Sequence, residues 1–164
     1  MTRRIRIESI EIVAHCHATE NPEKVKQAIV NILPPELRGR ARIVEQRLTG
    51  YFRNPITRLV LVLHRDEAAE TLKHILSRLP EHDRRYLLLS LDQRYDRKSN
   101  KLFLRLDKQE AYLGNLVLSE GSDTVRVSVS FSIARSAEDV RSLLEALLGE
   151  SARASGSAST DKGG

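Results

Sequence analysis

Apolar and polar residues alternate most strictly over Thr124–Ile133, with Val125, Val127, Val129, Phe131 and Ile133 on one side and Arg126, Ser128, Ser130 and Ser132 on the other. That period of two predicts a strand with one dry face and one hydrated or lightly covered face. Near the start, Ile5 and Ile7 alternate, and Ile10, Ile12, Ala14, Cys16 and Ala18 continue after a phase slip near Glu8 and Ser9. One long strand with a bulge or bend explains the slip. Arg42–Thr49 reads as a second strand. Thr57–His64 reads as a third, whose continuous Leu and Val run suits a central position buried on both faces. Leu102–Leu106 and Leu116–Ser119 supply two shorter strands.

Between these runs the spacing turns helical. Asn21 and Pro22 offer an N-cap and a favoured first helical residue. Val25, Ala28, Ile29, Ile32 and Leu33 then share a face that Pro34 and Pro35 terminate. Glu36–Arg40 reads as a loop. Asp66 can cap a helix with Ala69, Leu72, Ile75, Leu76 and Leu79 inward. Glu81–Gln93 fits either a buried helix or a strand, and its charged flank at Glu81–Arg85 favours the helix. Asp96–Asn100 is a turn, and Lys108–Leu113 a short turn or single helical turn. Ser136 caps a last helix facing inward with Val140, Leu143, Leu144, Leu147 and Leu148. The order β-α-β-β-α-α-β-β-β-α predicts a two-layer α+β domain with a mostly antiparallel sheet and no internal repeat.

A chain of 164 residues with 40% hydrophobic content can bury one core. Residues 1–149 are expected to form that single domain. Residues 150–164, rich in Ser, Ala and Gly and without a large apolar side chain, are expected to be a disordered tail. A lone cysteine, Cys16, excludes an internal disulfide and suits a reducing cytoplasm. With no membrane-length apolar run and no signal-peptide pattern, the expected location is cytoplasmic.

Charge is segregated along the chain. The formal net charge is +5, but Arg38–Arg65 holds seven arginines against Glu45 alone. Asp92–Lys108 holds six bases against three acids, whereas Glu8–Glu23 holds four acids and no base. Clustered positive charge with a pI near 9.6 fits a polyanion binder. An ordinary charged surface, or adaptation to high temperature, gives the same balance. Twenty of the 27 bases are arginine, whose planar fork suits phosphate and stacks on bases.

Three clusters are candidate contacts. Arg38, Arg40 and Arg42 can meet a phosphate backbone, or form a solvated run of like charge. Tyr51, Phe52, Arg53 and Asn54 combine aromatic faces for stacking unpaired bases with a base-reading amide. A core cap by the two aromatics, with Asn54 and Pro55 turning the chain, fits them slightly better. Arg105, Lys108 and Gln109 gather with Asp107 at a strand end before Gly114. They can present donors to nucleic acid, or hold an internal ion pair. His15 and His17 share one strand face while Cys16 points opposite, so the three cannot ligate one metal ion without distortion. Neither a phosphate-binding loop nor a nucleophile elbow is present. The scattered Asp92, Asp96 and Asp107 need an unusual fold-back to build a metal nuclease site. The expectation is a protein without catalysis, cofactor or metal.

Leu102–Gly114, His17–Val25 and Gly50–Ile56 together resemble the motifs of an archaeal family of RNA-binding proteins, in register over roughly Ile5–Ile133. The chain departs from the family pattern at Arg53, where a glycine is usual. Members are described as predicted exosome-associated subunits, with a fold like that of the fifth large-subunit ribosomal protein. The resemblance implies an accessory factor in archaeal RNA processing or degradation, or in ribosome-related metabolism. The implied partners are RNA and exosome or ribosome-related proteins. The competing reading is an assembly subunit that dimerises, or docks through its sheet, without touching RNA. A metal-dependent RNA-processing enzyme is the third.

Overall fold

The long N-terminal apolar strand organises the molecule. In the computed structural model, which describes residues 5–49, 55–133 and 136–159, it is β1 (Ile7–His17), followed by α1 (Pro22–Ile32), a 3-10 turn (Pro35–Arg40), β2 (Val44–Thr49) and β3 (Pro55–His64). Three helices follow: α2 (Arg65–Arg78), α3 (Glu81–Leu89) and α4 (Leu91–Arg94). The chain continues through β4 (Tyr95–Asp96), β5 (Lys101–Asp107), α5 (Lys108–Tyr112), β6 (Thr124–Phe131) and α6 (Ala137–Ser159). Among the described residues the strands form one sheet in the order β2-β3-β1-β6-β5-β4, with every neighbouring pair antiparallel. The fold is α+β, with the helices on one face of the sheet.

Alternation sets that face. Ile10, Ile12 and Ala14 of β1, Leu59 and Leu61 of β3, Leu102, Leu104 and Leu106 of β5, and Val125, Val127 and Val129 of β6 are all buried. Opposite them lie Val25, Ile29 and Ile32 of α1, Leu72, Ile75 and Leu76 of α2, and Val140 and Leu144 of α6. The Asn21 cap forms as expected, its Oδ1 accepting from the Glu23 N–H at 2.9 Å. The phase slip in β1 is a register shift against β6 between Ile7 and Ser9. Ser136 Oγ accepts from the Asp139 N–H at 3.3 Å at the start of α6.

Several local expectations change. β3 lies inside the sheet, yet only one of its faces is covered by helices, and Val62 is exposed. Asp66 does not cap α2. Pairing of β3 with β1 persists to His64 opposite Ser9, so the chain turns abruptly through Arg65, whose φ is 49°, and His64 becomes the N-cap. The Glu36–Arg40 segment winds into the 3-10 turn instead of an open loop. The short strand expected at Leu116–Ser119 reduces to one bridge, Leu118 to Leu106. Backbone bonds from Ser119 N to Arg105 O (2.9 Å) and Asp107 N to Val117 O (3.0 Å) still hold this segment along the outer edge of β5. Helical backbone in α6 runs to Ser159. Gly114, at φ 91°, ends α5 in the left-handed region that a helix C-terminus favours.

Candidate nucleic-acid interface

The helix-free face of the sheet is read off the strand registers. One row across it runs Phe103, Ser128, Glu11, Val62, and the next runs Arg105, Arg126, Val13, Val60, Val44. His15 stands opposite Arg58, which stands opposite Gln46. Lys101 occupies the same face of β5. Over these strands lies a hollow of about 310 Å³, lined among others by Arg58, Lys101, Phe103, Arg105 and Arg126. The small Ser128 between the larger side chains of β5 and β1 helps to form the depression.

Arg58 is partly neutralised, with its Nη1 donating to Gln46 Oε1 at 2.9 Å and Glu11 Oε1 lying 3.8 Å from its Nη2. Arg105 and Arg126 are different. They are directly cross-strand neighbours, both exposed, and neither side chain has an ion-pair or hydrogen-bond partner among the described residues. Like charges placed opposite each other weaken a strand pair. A sheet under no other demand would gain by replacing one of them. His15 registers the surplus positive charge: burial first, then Arg58 and Arg126, hold its imidazole below the usual histidine range.

The residues expected from the sequence fall into separate places. Arg38 Nε donates to Leu33 O at 3.0 Å and its Nη2 to Asn31 O at 3.4 Å, so it satisfies carbonyls at the end of α1. Arg40 and Arg42 are exposed beyond it and are not among the residues lining the sheet-face hollow. Tyr51, Phe52, Arg53 and Asn54 lie outside the described residues. Arg105 is on the helix-free face. Lys108 is only 4% exposed. Its Nζ donates to His15 O (2.8 Å), Asp123 Oδ1 (2.8 Å) and both Glu20 carboxylate oxygens (3.2 Å). Burial alone would lower this ammonium's pKa, but Asp123 and Glu20 outweigh it and hold the group above the ordinary lysine range. The same hydrogen bond from Lys108 holds Asp123 below the usual carboxylate range. Gln109 Nε2 donates to Asp123 Oδ2 at 3.1 Å, and Asp107 caps α5 by accepting from the Glu110 N–H at 2.9 Å. Asp107, Lys108 and Gln109 are thus engaged internally and join the ends of β1, β5 and β6, whereas the Arg105 side chain is not. Cys16 is buried on the core face while His15 and His17 face outward, the split that alternation requires.

A family model described as RNA binding matches residues 9–131. The chain belongs to this RNA-binding family. Relatives include an RNA-binding protein of Pyrococcus abyssi, 33% identical over 135 residues, which span 79% of this chain and 84% of that protein. An uncharacterized protein of Methanocaldococcus jannaschii is 34% identical over 130 residues, 77% of this chain and 86% of that one. Among solved structures, a protein of Archaeoglobus fulgidus superposes with a TM-score of 0.73 at 32% identity, covering 87% of this chain and 99% of that chain. A DUF54 protein of Methanothermobacter thermautotrophicus gives 0.69 at 27% identity, covering 87% and 98%. The family match runs from Ser9 to Phe131, so it takes in the sheet except the first two residues of β1 and leaves out α6.

For this family member, sequence reasoning picked out Arg105 but not Arg58, Lys101, Phe103 or Arg126. The signal was partly visible, since Arg126 stands among serines on the polar side of β6. What the sequence does not state is that β5 and β6 are neighbours in a register that sets Arg105 against Arg126.

Proposed function

We propose that this chain is a noncatalytic RNA-binding protein that meets the phosphate backbone with the helix-free face of its sheet. The supporting observation is the pair Arg105 and Arg126, opposed across β5 and β6 without a carboxylate partner. Phosphate oxygens relieve that repulsion, and the guanidinium fork suits them. Arg58 and Lys101 extend the positive surface on either side of the hollow. The family resemblance extends this reading to an accessory role in archaeal RNA processing or degradation beside the exosome, or in ribosome-related metabolism. It also extends to a fold like that of the fifth large-subunit ribosomal protein.

The test is fluorescence-anisotropy binding to RNA across a salt series, comparing Arg105→Ala/Arg126→Ala with Arg40→Ala/Arg42→Ala. Each phosphate contact to a single strand contributes roughly 0.7 to the log–log salt slope. The first variant should therefore flatten the slope by about 1.4 and the second much less. The reverse ranking moves the binding surface to the 3-10 turn, and wild-type affinity in both variants removes the electrostatic reading altogether.

A second reading has its own observation. Val44 is 56% exposed, and Leu48 and Val62 are also exposed on the β2–β3 side of the same face. Such a stripe on an edge hairpin suits a homodimer that covers it. Sedimentation at micromolar concentration distinguishes the two, because this association would resist salt while RNA binding would not.

A further inference from the structure

We infer that the RNA on this face is single-stranded, with an unpaired base on Phe103 and a neighbouring phosphate in the place that the Glu120 carboxylate occupies between Tyr86 and Arg94. The inference rests on the RNA-binding reading above and names its ligand class.

Phe103 has the position of a stacking platform. Its cross-strand neighbour on the open face is the small Ser128, and β4 pairs only with Lys101 and Leu102. No β4 residue therefore stands beside Phe103 on the outer edge of β5. Its side chain borders two hollows, the sheet-face one of about 310 Å³ and an adjoining one of about 240 Å³ towards α3 and α4. Arg105 borders both as well. An aromatic ring with a guanidinium beside it, open on two sides, is the arrangement that holds a base by its π face and its phosphate by charge.

The second hollow already holds an anion. Tyr86 Oη donates to Glu120 Oε1 at 3.1 Å, and Arg94 Nη2 lies 3.4 Å from the same oxygen. Arg94 is aimed there by two further contacts, Nε to Ser90 Oγ at 2.8 Å and its guanidinium 5.4 Å over the Tyr86 ring. Glu120 itself is exposed and hangs on a loop, so exchanging it for a phosphate oxygen requires little reorganisation. A duplex cannot use this arrangement. Its bases are stacked within the helix, and a side chain reaches a base's face only where the strand is unpaired.

The experiment measures anisotropy with a short fluorescein-labelled oligouridylate and with an RNA duplex of equal length. It uses the full chain and the variants Phe103→Leu, Phe103→Tyr and Glu120→Gln, each checked for folding by thermal melting. The expected result is single-strand affinity at least about tenfold above duplex affinity. Phe103→Leu should lower it about fivefold or more, the loss of one stacked base, and Phe103→Tyr should retain it. Glu120→Gln should raise single-strand affinity at low salt. Equal binding of the duplex, or unchanged single-strand binding by folded Phe103→Leu, overturns the inference. If Arg105→Ala/Arg126→Ala still weakens binding in that case, the RNA-binding reading stands without it. Should Phe103→Leu unfold, loss of binding in Phe103→Tyr or no gain in Glu120→Gln overturns it instead. Binding of neither RNA by the wild type removes both.

Discussion

Replacing Lys108 by Met keeps the buried stem and removes the ammonium. Three partners then lose their cation: the His15 carbonyl at 2.8 Å, Asp123 at 2.8 Å and the Glu20 carboxylate at 3.2 Å. Removing one member of a fully buried pair costs about 3–5 kcal/mol, because the remaining charge is stranded. Here Glu20 and Asp123 retain access to water, with 23% and 48% of their side chains exposed. The stranded charge is therefore partly solvated, and the expected loss falls to about 2–3 kcal/mol. For a chain of this size each kcal/mol moves the melting temperature by about 2–4 °C, which gives a fall of roughly 4–12 °C. Differential scanning calorimetry at neutral pH measures it. Adding Glu20→Gln to Lys108→Met should recover part of the loss, since it removes one of the two stranded carboxylates. Single-strand RNA affinity, measured well below the transition, should stay within about twofold of wild type, under 0.5 kcal/mol. A melting temperature within about a degree of wild type, together with a clear loss of RNA affinity, would refute the reasoning. It would show the Lys108 ammonium to be free for a ligand.

The same cluster sets a pH dependence. Asp123 is held below its ordinary value of 3.8 in the folded chain, so its contribution is present above that pH and is lost as pH falls through the lowered value. Lys108 is held above 10.5, so its contribution is complete below that pH and is lost as pH rises through the raised value. Melting temperatures should fall at both ends, and both falls should shrink in Lys108→Met. Arg38→Ala should lower stability by about 1–2 kcal/mol through the lost bonds to the α1 carbonyls, and Arg40→Ala/Arg42→Ala by under about 0.5 kcal/mol. Urea midpoints at unchanged slope separate them. His15 should titrate below 6.5 in the free protein. Because phosphates cancel the field of Arg58 and Arg126, its pKa should rise when RNA binds. An NMR titration in which RNA leaves the His15 pKa unmoved places the RNA elsewhere.

The sequence by itself determined the kinds of element and their order. Alternation in Thr124–Phe131 and in Ile7–His17, the Asn21–Pro22 helix start and the inward face of α2 are local properties, carried by residues a few positions apart. Together they were enough to predict an α+β layer pair with an antiparallel sheet. Tertiary structure decided what those elements meet. Val60 and Val62 read as a strand buried on both sides, but helices cover only one side, and no local pattern records which face that is. Lys108 reads equally as a binding group or as half of an internal pair with an aspartate. Only the arrival of Glu20 and Asp123, from distant parts of the chain, makes the pair. Arg105 and Arg126 each look like a solitary charge on a polar face until β5 and β6 pair. Strand neighbours and register are fixed by burying the whole apolar face at once. The proposed RNA surface exists only after that non-local choice has been made.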